Sequence, residues 1–96
     1  MKAYHVIEDR TRWTKFCPAR DKFGKNIGPN NPNAVQWDVT GALRKAYGDY
    51  TKGYWEAFRK LRAEVREHGY TEIQYWHDAA GRQHHHVVDL LKRLDI

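Results

Sequence analysis

The densest apolar pattern in the chain lies between Pro32 and Gly48. Val35, Val39, Ala42, Leu43 and Ala46 recur there at helical spacing. Pro32 cannot sit inside a helix, and Asn33 is a good N-cap. Gln36 follows at the third helical position, so the segment reads as a capping box. Gly48 supplies a left-handed stop. The pattern predicts a helix from about Ala34 to Tyr47. Trp37 and Gly41 lie one turn apart on its other face, which predicts a helix covered on both sides and central to the fold.

A second helix is predicted from about Lys52 to His68, capped by Thr51 or Asp49 and ended by Gly69. Tyr54, Phe58, Leu61 and Val65 form its apolar stripe, with Trp55 beside them. Glu56 and Lys60 stand at the spacing of an i,i+4 ion pair. A last helix, about His84 to Leu94, presents Val87, Val88, Leu91 and Leu94 to the core. Thr71-Glu72-Ile73-Gln74 reads as another capping box, so Glu72 to Trp76 forms one helical turn, with a strand as the alternative. Met1 to Asp9 is read as a short helix in preference to a strand. Cys17-Pro18 interrupts regular structure, and Asp21 to Gly24 is a turn. A small hairpin of Phe16–Arg20 with Lys25–Ile27 follows from it. The expected fold is α+β, mainly α: three amphipathic helices around a Trp/Tyr-rich core, with a small N-terminal β-hairpin, in a single domain over residues 1–96.

Composition narrows this picture. The apolar fraction is 41%, slightly low, but four Trp and six Tyr supply large rings to fill a core. No stretch is long and apolar enough to span a membrane, and no signal-peptide pattern opens the chain. One cysteine allows no internal disulfide, which fits a cytoplasmic setting. The net charge of +5 is uneven: residues 1–25 carry +4 of it. Such a segment attracts nucleic acid or an acidic protein surface, or merely keeps a small protein soluble.

Three blocks, taken in order, resemble an uncharacterised family of small bacterial and bacteriophage proteins known as a domain of unknown function. They are IEDRTRWTKFCPARD (Ile7 to Asp21), NAVQWDVTGALRKA (Asn33 to Ala46) and WHDAAGRQHHHVVDLL (Trp76 to Leu91). The family pattern runs Ile-Glu-Asp, Arg-Trp-Thr-Gln-Gly, Ala-Arg-Asp and a Gly turn. Ala-Val-x-Trp-Cys-x-x-Gly-Ala-Leu follows, then Trp-Asn-Asp and Gly-Arg-Thr before an amphipathic helix. On this resemblance Trp13, Ala19, Arg20, Asp21, Trp37, Gly41, Ala42, Leu43, Trp76, Asp78, Gly81 and Arg82 occupy motif positions. The chain departs from the pattern at Asp38, where the family has Cys, and at Lys15-Phe16, where it has Gln-Gly. His77 replaces Asn, and Gln83 replaces a Thr that would cap a helix better. The resemblance implies a compact, mainly helical domain of phage or mobile-element origin, and it carries no assigned activity.

Few residues suggest chemistry. His84, His85 and His86 are adjacent, so on a helix they point about 100° apart and cannot share an ion. His85 with Asp89 is the one i,i+4 pair of ligand type, and His77 could add a third group. No metal and no cofactor are expected. Asp78 could orient His77, and Cys17 lies in a basic segment, but nothing in the sequence brings the two together. No phosphate-cradling loop or zinc-protease motif occurs. Arg20 or Arg82 could pair with Asp21 or Asp78 and pin the hairpin to the C-terminal turn. The sharper reading makes Arg12, Trp13, Arg20, Trp76 and Arg82 an exposed aromatic-basic binding surface, with Trp37 and Trp55 in the core. The expectation is a small non-enzymatic binding protein that occupies a host protein or nucleoprotein complex, for example as an inhibitor of a host defence system such as CRISPR. A nucleic-acid-binding accessory protein is the alternative, and a small enzyme is the weakest reading.

Overall fold

The computed structural model describes residues 1–96. Helix α1 (Ala3–Ile7) leads through a 3-10 turn at Arg10–Arg12 to strand β1 (Ala19–Arg20). Strand β2 (Gln36–Trp37) runs into α2 (Val39–Tyr47), and α3 (Lys52–Glu67), α4 (Ile73–His77) and α5 (His84–Leu94) follow. The fold is α+β and mainly α, with a two-stranded antiparallel sheet as its only sheet.

The start of α2 departs from the sequence expectation. It begins at Val39, not Ala34, because Asp38 is the cap. Asp38 Oδ1 accepts the Gly41 N–H at 2.7 Å and the Thr40 hydroxyl at 2.9 Å. Asn33 instead lies in a turn, where its N–H donates to Asn31 Oδ1 at 2.9 Å. Gln36 and Trp37 are extended because their backbone pairs with β1, in the register Ala19 opposite Trp37 and Arg20 opposite Gln36. Val35 therefore leaves the core and is 43% exposed. Trp37 is buried, as expected, and its indole N–H donates to the Pro29 carbonyl at 2.8 Å.

Gly41 does not face Trp37 across a turn; it faces Pro18. A Cβ at Gly41 would stand 1.8 Å from the Pro18 carbonyl oxygen. The same oxygen accepts the Asp38 N–H at 3.1 Å. The Cys17–Ala19 segment thus rests directly on the first turn of α2. The turn at Asp21–Gly24 forms where the sequence places it, with Asp21 Oδ1 accepting from Phe23 N and Lys25 N. The expected hairpin forms in short form: Arg20 bridges Asn26, the Asp21 N–H donates to the Lys25 carbonyl and the Ile27 N–H to the Ala19 carbonyl, while β1 also pairs with β2.

The core is aliphatic at its centre. Ile7, Val39, Leu43, Leu61, Val65, Val87 and Leu91 are buried there, drawn from α1, α2, α3 and α5. Trp37, Tyr54 and Trp76 are the rings inside it; Tyr4, Trp13, Tyr47, Phe58 and Tyr70 pack around its rim. Trp55 is 39% exposed, which corrects its expected core position: it points about 100° away from the stripe centred on Tyr54, Leu61 and Val65. Thr51 caps α3 through Tyr54 N, while Asp49 pairs with Arg44 at 2.8 Å. Glu56 pairs with Lys52, not Lys60, whose ammonium reaches the Leu94 carbonyl. α4 has no side-chain cap, so the Thr71 capping box does not form.

Two glycine substitutions separate packing from propensity. Gly41→Ala should destabilise by ~1–3 kcal/mol or more, because the overpacking meets backbone and outweighs the ~1 kcal/mol that Ala gains in a helix. Gly53→Ala meets only ordinary contact, 3.5 Å from the Tyr47 ring, and should stabilise by up to ~1 kcal/mol. Urea denaturation of the two variants checks the opposite signs.

Candidate functional site

A chain of polar side chains runs beneath the N-terminal loop. His77 and Asp38 have no exposed surface. Trp13 donates its indole N–H to His77 Nε2 at 2.8 Å, across 64 residues of sequence. An indole nitrogen is only a donor, so Nε2 must be the bare nitrogen and Nδ1 must carry the proton. That Nδ1 stands 2.8 Å from Asp78 Oδ1 and donates to it. Gln74 then bridges the two carboxylates, with its Nε2 2.7 Å from Asp78 Oδ2 and 3.1 Å from Asp38 Oδ2. Asp38 closes the chain by capping α2. Every buried side-chain nitrogen and oxygen in the protein has a partner.

The charges follow from this placement. Burial pushes the His77 imidazole below its ordinary pKa; the hydrogen bond to Asp78 and the nearby Asp38 carboxylate oppose that only in part. Burial likewise pushes Asp38 up, against the hydrogen bonds from Gly41, Thr40 and Gln74. For Asp78, burial raises the pKa, but the bonds from Gln74, His77 and the Phe16 N–H together outweigh it and hold the carboxyl below its usual range. A His–Asp pair of this geometry could orient a general base, but Trp13 occupies the nitrogen that would take the proton. Cys17 is buried, its thiol donates to the Ala19 carbonyl, and burial raises its pKa, the opposite of thiolate activation.

The sequence-predicted binding residues do not form one exposed patch. Arg12 is exposed on the 3-10 turn, and Trp13 is half-buried against His77 and His84. Arg20 is a staple: it donates to the Thr14 hydroxyl, the Gly24 carbonyl and the Lys15 carbonyl. Trp76 is 5% exposed, which corrects its expected exposure. Arg82 lies over it, 4.4 Å from the ring centroid, and donates to the Trp76 carbonyl. Both line a cleft of about 500 Å³ beside α5. The expected pinning of the N-terminal loop to the C-terminal turn is present at Asp78, with Lys15 and Phe16 in place of Arg20 on the loop side. Lys15 reaches the Ala79 carbonyl at 3.0 Å, and the Phe16 N–H donates to Asp78. The histidines diverge: His84 bonds the Ile7 carbonyl, and His86 Nδ1 accepts the Gln83 N–H. No three His, Cys, Asp or Glu side chains converge as metal ligands.

Sequence reasoning missed Gln74, Asp38 and Phe16. Gln74 and Asp78 stand at the i,i+4 spacing of a helical Gln–Asp pair, which was a readable signal. Phe16 has φ +75° and is 71% exposed. A bulky residue in the left-handed region is a true outlier.

A small α+β domain, locked by a His–Asp–Gln–Asp chain with buried ends, beneath a loop that displays apolar side chains, is the class these features define. The chain belongs to a family of unknown function, DUF6197, whose model matches residues 1–94. No curated protein and no solved structure matches the chain. No helix is long and apolar enough to cross a membrane.

The lock has a pH signature. The unfolded imidazole titrates near 6.5, and the folded one takes a proton only at lower pH. Between those values the unfolded chain binds more protons, so His77 makes stability fall as pH drops below about 6.5. His77→Gln keeps an acceptor and a donor but cannot titrate. Denaturation from about pH 7 to about pH 5 should show a shallower loss of stability in the variant than in the wild type.

Proposed function

We propose that this protein is a non-enzymatic binder, encoded by a phage or mobile element, that occupies a host protein or nucleoprotein surface. Inhibition of a host defence system is one role such a binder serves. The observation that carries this reading is Phe16. Its ring is 71% exposed, its backbone is held at φ +75°, and its N–H is pinned by Asp78. A non-glycine residue in that region costs about 1–3 kcal/mol, and such strain concentrates where a surface is used. The same loop region displays Phe23, 75% exposed, and Val35, which share a cleft of about 310 Å³. Exposed apolar side chains on loops anchored to a rigid frame suit a hot-spot contact with a protein partner. His77 is instead sealed by Trp13, and Cys17 by burial.

Phe16→Gly tests this directly, since it deletes the ring and relieves the backbone. Stability should stay level or rise by up to ~1 kcal/mol. Affinity for a partner captured from bacterial lysate should fall by at least ~2 kcal/mol. Full affinity retained by the Phe16→Gly, Phe23→Ala double variant would contradict the loop-face reading.

A further inference from the structure

We propose that the basic flank of α3, with the rings beside it, binds single-stranded nucleic acid. This goes beyond the loop-face reading and does not depend on it. At about 100° per residue, Lys52, Trp55, Arg59, Arg62 and Arg66 fall within an arc of roughly 80° on the helix. Glu56, Glu64 and Glu67 fall on the other flank. Lys60 also falls on that flank, but its ammonium is bound to the Leu94 carbonyl, so the acidic side chains of α3 lie apart from the stripe that carries Arg59 and Arg62. The stripe runs about 21 Å along the axis. Arg59 and Arg62 make no ion pair; Lys52 and Arg66 make only long, exposed ones, at 3.9 and 4.0 Å.

Rings border this stripe. Tyr50, 55% exposed, stacks on Trp55 with centroids 5.9 Å apart and planes at 28°. Phe58 meets Trp55 edge-on at 5.3 Å, and the Arg62 guanidinium lies 5.6 Å from the Phe58 ring. Tyr75, 66% exposed, shares with Phe58 a cleft of about 290 Å³ between α3 and α4. Tyr50 itself holds a left-handed backbone, φ +58°, which Gly or Asn adopts with less strain.

The Arg44 guanidinium lies over Tyr50, 4.9 Å from its centroid, so Trp55 and Tyr75 are the exposed rings left to meet a base, and together with the unpaired Arg59 and Arg62 they match a polyanion whose bases are free to stack. A duplex keeps its bases stacked on one another, so their faces are closed to the rings. An acidic peptide would engage the arginines and leave the rings idle. The N-terminal basic segment fits less well, because Lys15 and Arg20 are already bonded to backbone carbonyls.

The test is fluorescence anisotropy with labelled oligothymidylate and oligouridylate, a duplex of the same length, and polyglutamate as a competing polyanion. The whole protein should bind single strands at low salt, with a log–log salt slope of about −0.7 per phosphate neutralised. Trp55→Ala should weaken binding ~5- to 150-fold. Arg59→Gln and Arg62→Gln should each make the slope shallower by about 0.7. Arg59 lies outside the core, so its variant keeps the test decisive even if Trp55→Ala is poorly folded. Phe16→Gly should leave oligonucleotide binding unchanged, which separates this surface from the loop face. Absence of binding at low salt, equal affinity for duplex, displacement of the oligonucleotide by polyglutamate at an equal charge concentration, or insensitivity to both Trp55→Ala and Arg59→Gln would overturn the proposal.

Discussion

An imidazole with no contact to water needs a partner for each nitrogen, and here the two partners come from different ends of the fold. Trp13 donates to one nitrogen of His77, and Asp78 accepts from the other. Gln74 carries the connection on to Asp38, whose carboxylate caps α2. One continuous set of hydrogen bonds therefore joins the N-terminal loop, the sheet–helix junction and α4. His77, with no exposed surface, is satisfied only while Trp13 and Asp78 stay in place. Leaving one of these buried groups without its partner costs ~1–3 kcal/mol, so the chain is costly to break anywhere along its length.

That lock explains how a long irregular segment is held still. Residues between α1 and α2 contain only the two short strands and the 3-10 turn as regular structure. Arg20 staples the segment to itself through three backbone or hydroxyl acceptors, and Lys15 and Phe16 tie it to the turn after α4. Trp13, Arg20 and Trp76, which look like a binding surface in one dimension, are instead used inside the fold. The large apolar side chains left exposed include Phe16, Phe23 and Val35 on the loop region, and Tyr50, Trp55 and Tyr75 around α3. Rigid support beneath exposed rings lowers the ordering cost of a contact, which is the physical link between the buried lock and the proposed binding role.

Local signals were legible where they were decisive. α3 and α5 follow from an apolar stripe bounded by Thr51 and Gly69, and by the polar run before Val87. The start of α2 was not legible, because Asn33 and Asp38 are both good caps. Only the pairing of Gln36–Trp37 with Ala19–Arg20, a contact between distant residues, chooses between them. The same limit hid the Trp13–His77 bond. Trp55 was misplaced because one residue beside a stripe turns about 100° away from it. Arg20, Trp76 and Arg82 read as surface because motif position does not distinguish a staple from a contact.

The tautomer and charge of His77 test the lock most directly. Long-range proton–nitrogen correlation spectra of the labelled protein at neutral pH should show a neutral imidazole protonated at Nδ1 and bare at Nε2. The Trp13 indole proton should exchange slowly with solvent, as a buried donor does. An imidazolium at His77, a proton on Nε2, or a Trp13 indole that exchanges as fast as an exposed one would contradict the account.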